Sequence, residues 1–177
     1  MPSQTPRPVA AVSVVLPASP GHVWALVTDV RNHARWVPFT RIDVPDDDPA
    51  TAGTSTALPL GATFTAVSGP GARRGFPGLP DRMLVTFSSP PDDGAPGEAV
   101  YRKLGPVLLG TAGVRVDPIA TGSAGTTPDD GPTSSRLTWT EDVHLRGLPR
   151  ALTAPLLRPV LALMLRVVLA RLRRELG

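Results

Sequence analysis

Apolar and polar residues alternate along most of this chain, and the alternation predicts a mainly β structure. Each alternating run is bounded by Gly, Pro or Asp, as strands usually are. The predicted strands are residues 9–16, 39–44, 61–67, 82–88, 98–104, 107–117 and 136–146. Because no helical pattern separates the strands after the second, the order predicts an antiparallel meander.

Helical periodicity occurs in two places, near the start of the chain and at its end. Ser19 and Pro20 are suited to the N-cap and first position of a helix. An amphipathic stripe follows, made of Val23, Leu26, Val27 and Val30. A second short helix is predicted at 32–37, and a long final helix with an unusually wide apolar arc at 150–176.

The last predicted strand contains one residue that breaks its pattern. Its apolar face consists of Leu137, Trp139, Val143 and Leu145, with Glu141 in the middle. A carboxylate on a buried face is costly unless it is paired, hydrogen-bonded or wetted by a cavity. Three hypotheses follow: Glu141 serves a function, it pairs with an arginine or Tyr101 to order the sheet, or a bulge turns it outward.

Length and composition set broad limits on the protein. The 177 residues predict a single domain at 9–177, preceded by a disordered tail at 1–8. Cysteine is absent, which excludes disulfides, thiol nucleophiles and cysteine metal sites. The polar, proline-rich N-terminus lacks the apolar stretch of a signal peptide, so the prediction is a cytoplasmic protein.

The net charge of +3 is concentrated in the final helix. From Arg158 onward there are five arginines and one acidic residue, Glu175. Arginines in a last helical turn complement the helix dipole, which is the simplest interpretation. The alternative is weak contact with an anionic membrane surface. Nucleic-acid binding is not expected, because no basic strand face carries interleaved aromatic residues.

Motifs for metal and nucleotide chemistry are missing from the sequence. The three histidines (His22, His33 and His144) lie far apart without ligand spacing, so no metal site is predicted. An acidic turn at 46–48 is interpreted as solvent-exposed. Long connections at 46–60, 68–81 and 118–134 are of a length that is often functional or mobile.

Several local sequences together resemble one known superfamily. They are the stretch 16–29 (LPASPGHVWALVTD) with Arg35-Trp36, LGATF at 60–64, MLVTF at 83–87 before Pro90-Pro91, and RLTWTE at 136–141. This set is similar to the START-like SRPBCC superfamily of polyketide cyclases/dehydrases and lipid-transport proteins, in an actinobacterial type of sequence. The resemblance spans nearly the whole chain, from about 9 to 176.

The resemblance implies an α+β helix-grip fold. In that fold a curved antiparallel seven-stranded sheet wraps around a long C-terminal helix, with two short helices after the first strand. It also implies a cavity between sheet and helix, with no cofactor and no metal. Gly110 and Ala112 support the cavity independently, because such small inward residues leave space; the alternative is a solid core. The residues expected to contact a ligand are Phe64, Met83, Val85, Phe87, Ala112, Val114, Trp139, Glu141, Leu161, Met164 and Val168.

Three functions remain open at this point. The first is binding of a small hydrophobic molecule (lipid, polyketide or isoprenoid-like) for carriage or sequestration. The second is a cofactor-independent polyketide cyclase, aromatase or dehydratase in which Glu141, with Tyr101 or a nearby arginine, moves protons. The third is a docking module that acts through the basic helix. Two or three titratable groups converging on one point of the cavity would favour catalysis over carriage.

Overall fold

The computed structural model describes residues 9–45, 57–92, 94–119 and 134–177. The predicted tail at 1–8, the acidic turn at 46–48 and most of the connection at 118–134 lie outside the described residues.

Three helices frame the structure. Helix α1 is Pro20–Thr28, α2 is His33–Trp36 and α3 is Arg150–Leu176; a 3-10 turn at Val30–Asn32 joins the first two. Helix α1 begins where the sequence predicts, because the Ser19 hydroxyl accepts a hydrogen bond from the His22 backbone N–H (3.4 Å). The predicted helices are therefore confirmed.

Seven strands form a single curled antiparallel sheet. They are β1 (Ala10–Leu16), β2 (Thr40–Asp43), β3 (Thr63–Ser68), β4 (Leu79–Ser89), β5 (Gly97–Pro106), β6 (Leu108–Ile119) and β7 (Ser134–Leu145). The order across the sheet is β1-β7-β6-β5-β4-β3-β2, so β2 to β7 form a meander and β1 pairs with the last strand. This is the α+β helix-grip architecture that the sequence predicts. Strand β4 begins earlier than predicted, at Leu79.

The core lies between the inner face of the sheet and α3. Strand β7 contributes Leu137 and Val143 to the core, and both are fully buried. The side of α3 that faces the sheet contributes five buried residues: Leu161, Leu165, Val168, Leu169 and Leu172. The second half of α3 supplies most of these side chains, so this half of the helix fixes its position on the sheet.

Two irregularities in strand pairing change which side chains face the core. The register between β4 and β5 shifts once between Arg82 and Met83 and again between Val85 and Phe87. Each such bulge adds one unpaired residue to one strand, and the following side chains then change face relative to a simple alternation. By contrast, β6 and β7 pair in continuous register from Leu108 to Ile119.

Candidate functional site

A cavity of about 90 Å³ lies between the inner face of the sheet and α3. Its walls are mainly apolar, and its acidic and basic side chains, apart from His33, come from β4, β5 and β7. The lining residues are His33, Val37, Thr40, Ile42, Phe64, Ala66, Ser68, Asp81, Met83, Tyr101, Lys103, Ala112, Trp139, Glu141, Met164, Leu165 and Val168. The cavity predicted from the small residues of β6 is thus present in the structure.

Strand register places Glu141 on the cavity floor. Glu141 lies opposite Ala112 of β6, and Ala112 in turn lies opposite Tyr101 of β5. These three residues are 4–5% exposed, so they face inward. Because β7 has no bulge against β6 here, Glu141 is held on the inner face and not turned outward.

Glu141 belongs to a buried cluster with Lys103 and Asp81, hereafter the acid–lysine cluster. Lys103 Nζ lies 2.5 Å from Asp81 Oδ2 and 3.4 Å from Glu141 Oε2. The side chains of Lys103 and Glu141 are only 4% and 6% exposed. The partner of Glu141 is therefore a lysine, whereas the sequence suggested an arginine or Tyr101.

Small residues on β6 allow this contact to form. Strand β6 separates Lys103 on β5 from Glu141 on β7, and the positions opposite them on β6 are Gly110 and Ala112. A larger inward side chain at Ala112 would stand between the ammonium and carboxylate groups, and an added Cβ at Gly110 would meet the β7 backbone at Asp142 and Val143. The space expected for a ligand above β6 is thus partly used by an ion pair.

The cluster has unused hydrogen-bonding capacity. Among the described residues, Asp81 Oδ1 and Glu141 Oε2 are buried oxygen atoms without a hydrogen-bond partner. The contact of Glu141 Oε2 with Lys103 is close enough for an ion pair, but its angles do not suit a hydrogen bond. Buried polar atoms are normally hydrogen-bonded, so these two oxygens mark a place where a ligand or water group fits.

The charges of the cluster do not cancel when all three groups are ionised. Two carboxylates face one ammonium, so the pKa of Glu141 is raised by burial and by Asp81, against the lowering effect of Lys103. Burial alone would lower the pKa of Lys103, but the charges of Glu141 and Asp81 outweigh it and raise that pKa. The raised pKa of Lys103 keeps its ammonium group charged between the two carboxyl groups.

Two further titratable side chains line the same cavity. Burial raises the pKa of Tyr101 to about 12, so its hydroxyl stays protonated at neutral pH. Burial also lowers the pKa of His33, although its ring nitrogen lies 2.7 Å from the Val27 carbonyl oxygen. The His33 ring is 5.0 Å from that of Trp139. Neutral His33 and neutral Tyr101 therefore add polar groups to the cavity without adding charge.

The structure places most of the predicted ligand-contact residues at the cavity. The predicted residues that line it are Phe64, Met83, Ala112, Trp139, Glu141, Met164 and Val168, together with the candidate Tyr101. Val85, Val114 and Leu161 are buried in the core but do not line the cavity. Whether any of these residues contacts a ligand stays a prediction.

Phe87 is on the opposite face from the one predicted. It is 47% exposed, and its partner across the strands is Val100, the neighbour of inward-facing Tyr101. Simple alternation from Met83 and Val85 places Phe87 inward. Thr86 is an extra residue that forms a bulge, so the next side chain points to the opposite face of the sheet. Phe87 therefore lies on the outer face.

Sequence reasoning missed Lys103 and Asp81 as site residues. Lys103 is the single lysine of the chain, and its alternation with Ala99 and Tyr101 already placed it on the inner face. Asp81 was assigned to a connection because Pro80 interrupts the pattern, yet β4 extends through it. The alternation of residues 99, 101 and 103 was the available signal for Lys103.

Comparison with known proteins rests on structure, since no family model matches this chain and no curated protein matches its sequence. A START superfamily protein from Mycobacterium smegmatis superposes with a TM-score of 0.59 at 13% identity, over 94% of each chain. A hypothetical protein from Helicobacter pylori gives 0.66 at 12% identity, over 100% of this chain and 92% of that one. This chain has the START-like (SRPBCC) fold.

Two further structural matches bear functional names. The lipid transfer and protein localization domain of human StarD13 gives a TM-score of 0.59 at 17% identity, over 94% of this chain and 76% of that one. The di-domain ARO/CYC protein BexL gives 0.51 at 12% identity, over 93% of this chain and 44% of that one. At these identities the similarity concerns the START-like fold alone.

Proposed function

We propose that this START-like protein binds a small hydrophobic molecule (lipid, polyketide or isoprenoid-like) in the cavity, as a cytoplasmic carrier or sequestering protein. The observation that carries the proposal is an apolar cavity with the buried acid–lysine cluster on its wall. Apolar walls favour a hydrophobic body, and a few fixed polar groups orient it. StarD13, which has the same fold, is named for lipid transfer.

The polar end of the ligand is expected to meet Glu141 and Asp81. The Glu141 carboxylate accepts a hydrogen bond from a hydroxyl group through Oε2, which has no hydrogen-bond partner. The free Asp81 Oδ1 accepts one from a hydroxyl group. Because the cluster already carries excess negative charge, a neutral oxygen-bearing head group is preferred over a carboxylate.

The volume of the cavity limits how such a ligand enters. About 90 Å³ holds roughly three water molecules, whereas pockets for drug-sized ligands measure roughly 300–1,000 Å³. A lipid or polyketide therefore binds only if the cavity enlarges. Helix α3 is the element that we expect to move: Met164 and Val168 form part of the wall, and Pro155 and Pro159 remove two backbone donors from its first half.

The experiment is ligand identification from protein purified from its own host. Native mass spectrometry should show a bound mass that solvent extraction releases as a hydrophobic compound. The variant Ala112→Leu, which fills the cavity, should lose that mass. Ala11→Leu makes the same change at an exposed position of β1 and should keep it. Wild-type protein without any bound mass, or an Ala112→Leu variant that retains it, would contradict the proposal.

A second candidate function is a cofactor-independent polyketide cyclase, aromatase or dehydratase. Five titratable side chains line one cavity: His33, Asp81, Tyr101, Lys103 and Glu141. That convergence favours catalysis, and BexL shares the fold. Three of the five groups are engaged with one another in the acid–lysine cluster, however, and for this reason binding is proposed first.

In this candidate reaction Glu141 acts as the proton carrier. Its carboxylate removes a proton from a carbon between two carbonyls, and the enolate attacks a third carbonyl to close a ring. The new alkoxide takes the proton back from Glu141, and loss of water completes the double bond. Glu141→Gln separates the two functions: loss of ring formation with unchanged affinity for a poly-β-ketone thioester supports catalysis, and unchanged turnover contradicts it.

A further inference from the structure

Helix α3 exposes a row of large apolar side chains on the side facing away from the sheet. Their exposed fractions are 68% for Leu152, 68% for Leu156, 65% for Val160 and 62% for Leu163. Spacings of four, four and three residues bring these side chains to one face of a helix. We call these four residues the outer apolar face.

The fold does not require this face to be apolar. The opposite side of α3 already supplies Leu161, Leu165, Leu169 and Leu172 to the core, each at most 7% exposed. Single exposed leucines are common, but a contiguous exposed patch usually marks an interaction surface. The outer apolar face therefore indicates a partner that accepts apolar side chains.

The charges on α3 indicate the chemistry of that partner. Arg166, one turn after Leu163, is exposed beside the outer apolar face, whereas exposed Arg158 lies on the other side of the helix. Between residues 150 and 174 the helix has no acidic residue. An apolar helix face bordered by an arginine fits the interface of a bilayer with anionic head groups, where leucines enter the acyl boundary and the arginine meets a phosphate.

We propose that the outer apolar face of α3 docks this protein onto an anionic membrane surface, with the helix lying in the plane of the bilayer. The surface lies in the first half of α3. The basic C-terminal turn suggested by the sequence is a less suitable surface, because Arg171 there donates to the Trp36 carbonyl oxygen (3.1 Å) and binds α3 to α2.

Two other arrangements fit the structure less well. By length and composition, helix α3 is long and apolar enough to cross a membrane. Crossing, however, would withdraw Leu165, Leu169 and Leu172 from the core. A second copy of the chain packed on the same face would place Arg166 of each helix beside the interface, with no acidic residue between 150 and 174 to pair with it.

The test is sedimentation with vesicles of phosphatidylcholine, with and without phosphatidylglycerol, at low and high salt. Wild-type protein should bind the anionic vesicles and lose binding at high salt. The double variant Leu156→Gln/Leu163→Gln should bind about tenfold more weakly to the anionic vesicles. Arg166→Gln should lose about fivefold of the preference for phosphatidylglycerol.

The matched control is Val15→Gln/Phe87→Gln, which removes two exposed apolar side chains from the sheet and should bind like wild type. Circular dichroism shows whether each variant is folded. If Leu156→Gln/Leu163→Gln unfolds, Leu152→Gln replaces it. Wild-type protein that binds no vesicle, or unchanged binding by the leucine variants, would overturn the proposal. Two further results would overturn it. The first is wild-type protein that stays in the bilayer after carbonate washing, which indicates insertion. The second is a wild-type dimer that binds no vesicles and that the leucine variants convert to monomer.

Discussion

Lys103 and Glu141 form a buried ion pair across an intervening strand, with 3.4 Å between Nζ and Oε2. The pair is possible because β6 presents only Gly110 and Ala112 between them. Asp81 adds a second carboxylate to the same ammonium. One ammonium group thus contacts two carboxyl groups at the wall of an apolar cavity.

Lys103→Met should strongly destabilise the fold. Removing one partner of a buried ion pair leaves uncompensated charge and costs about 3–5 kcal/mol. The free energy of unfolding in guanidinium chloride at pH 7 measures the loss. Arg102→Met, the adjacent and exposed residue of β5, should change the free energy by less than about 0.5 kcal/mol. Equal effects of the two variants would contradict the buried cluster.

Glu141→Gln should become relatively more stable than wild type as pH rises. The folded-state pKa of Glu141 lies above its ordinary value of 4.5, mainly because of burial. A raised carboxyl pKa contributes stability that is complete below the unfolded-state pKa and is lost as pH rises through the folded-state pKa. Unfolding free energies of both proteins from pH 4 upward measure the trend. A pH-independent difference between them would show that burial does not disfavour the ionised form.

Gly110→Ala should damage the pairing of β6 with β7. Gly110 has φ +126°, and an added Cβ would lie 2.1 Å from the Asp142 carbonyl oxygen. The expected cost is more than about 2 kcal/mol. Gly113→Ala on the same strand is the control, since its Cβ meets mainly the movable Thr140 hydroxyl. The midpoint temperature of thermal unfolding should be well above that of Gly110→Ala for the control.

Tyr101 should ionise only at very alkaline pH. It is the single tyrosine of the chain, so the ultraviolet signal of tyrosinate reports it alone. Burial raises its pKa from 10.0 to about 12. Its contribution to stability is therefore complete below pH 10 and is lost as pH rises through about 12. Titration near pH 10 in folded protein would place the side chain in water, and Tyr101→Phe should abolish the signal.

Local patterns in the sequence carried most of the information about the fold. Alternation along β7 placed Leu137 and Val143 inward, and both are completely buried. Ser19 and Pro20 marked the start of α1, since capping depends on adjacent residues. Resemblance of motifs to START-like proteins predicted how these elements assemble, and the structural matches agree.

The candidate site shows where local patterns stop being informative. Glu141 was identified from its own strand, because one acid on an apolar face is visible in sequence. Phe87 was misplaced, because a bulge depends on the pairing of β4 with β5 and not on either strand alone. The role of Lys103 was also missed, although its inward position was predictable.

By itself, the sequence determined most of the secondary structure and the inward face of β7, on which Glu141 is the one acidic residue. Only the tertiary structure decided that Lys103 is the partner of Glu141, because the two residues are 38 positions apart and meet across a third strand. It also decided the cavity volume and the exposure of Leu156, since both depend on how far α3 lies from the sheet. Periodicity reports what a segment prefers to bury, whereas packing determines what it contacts.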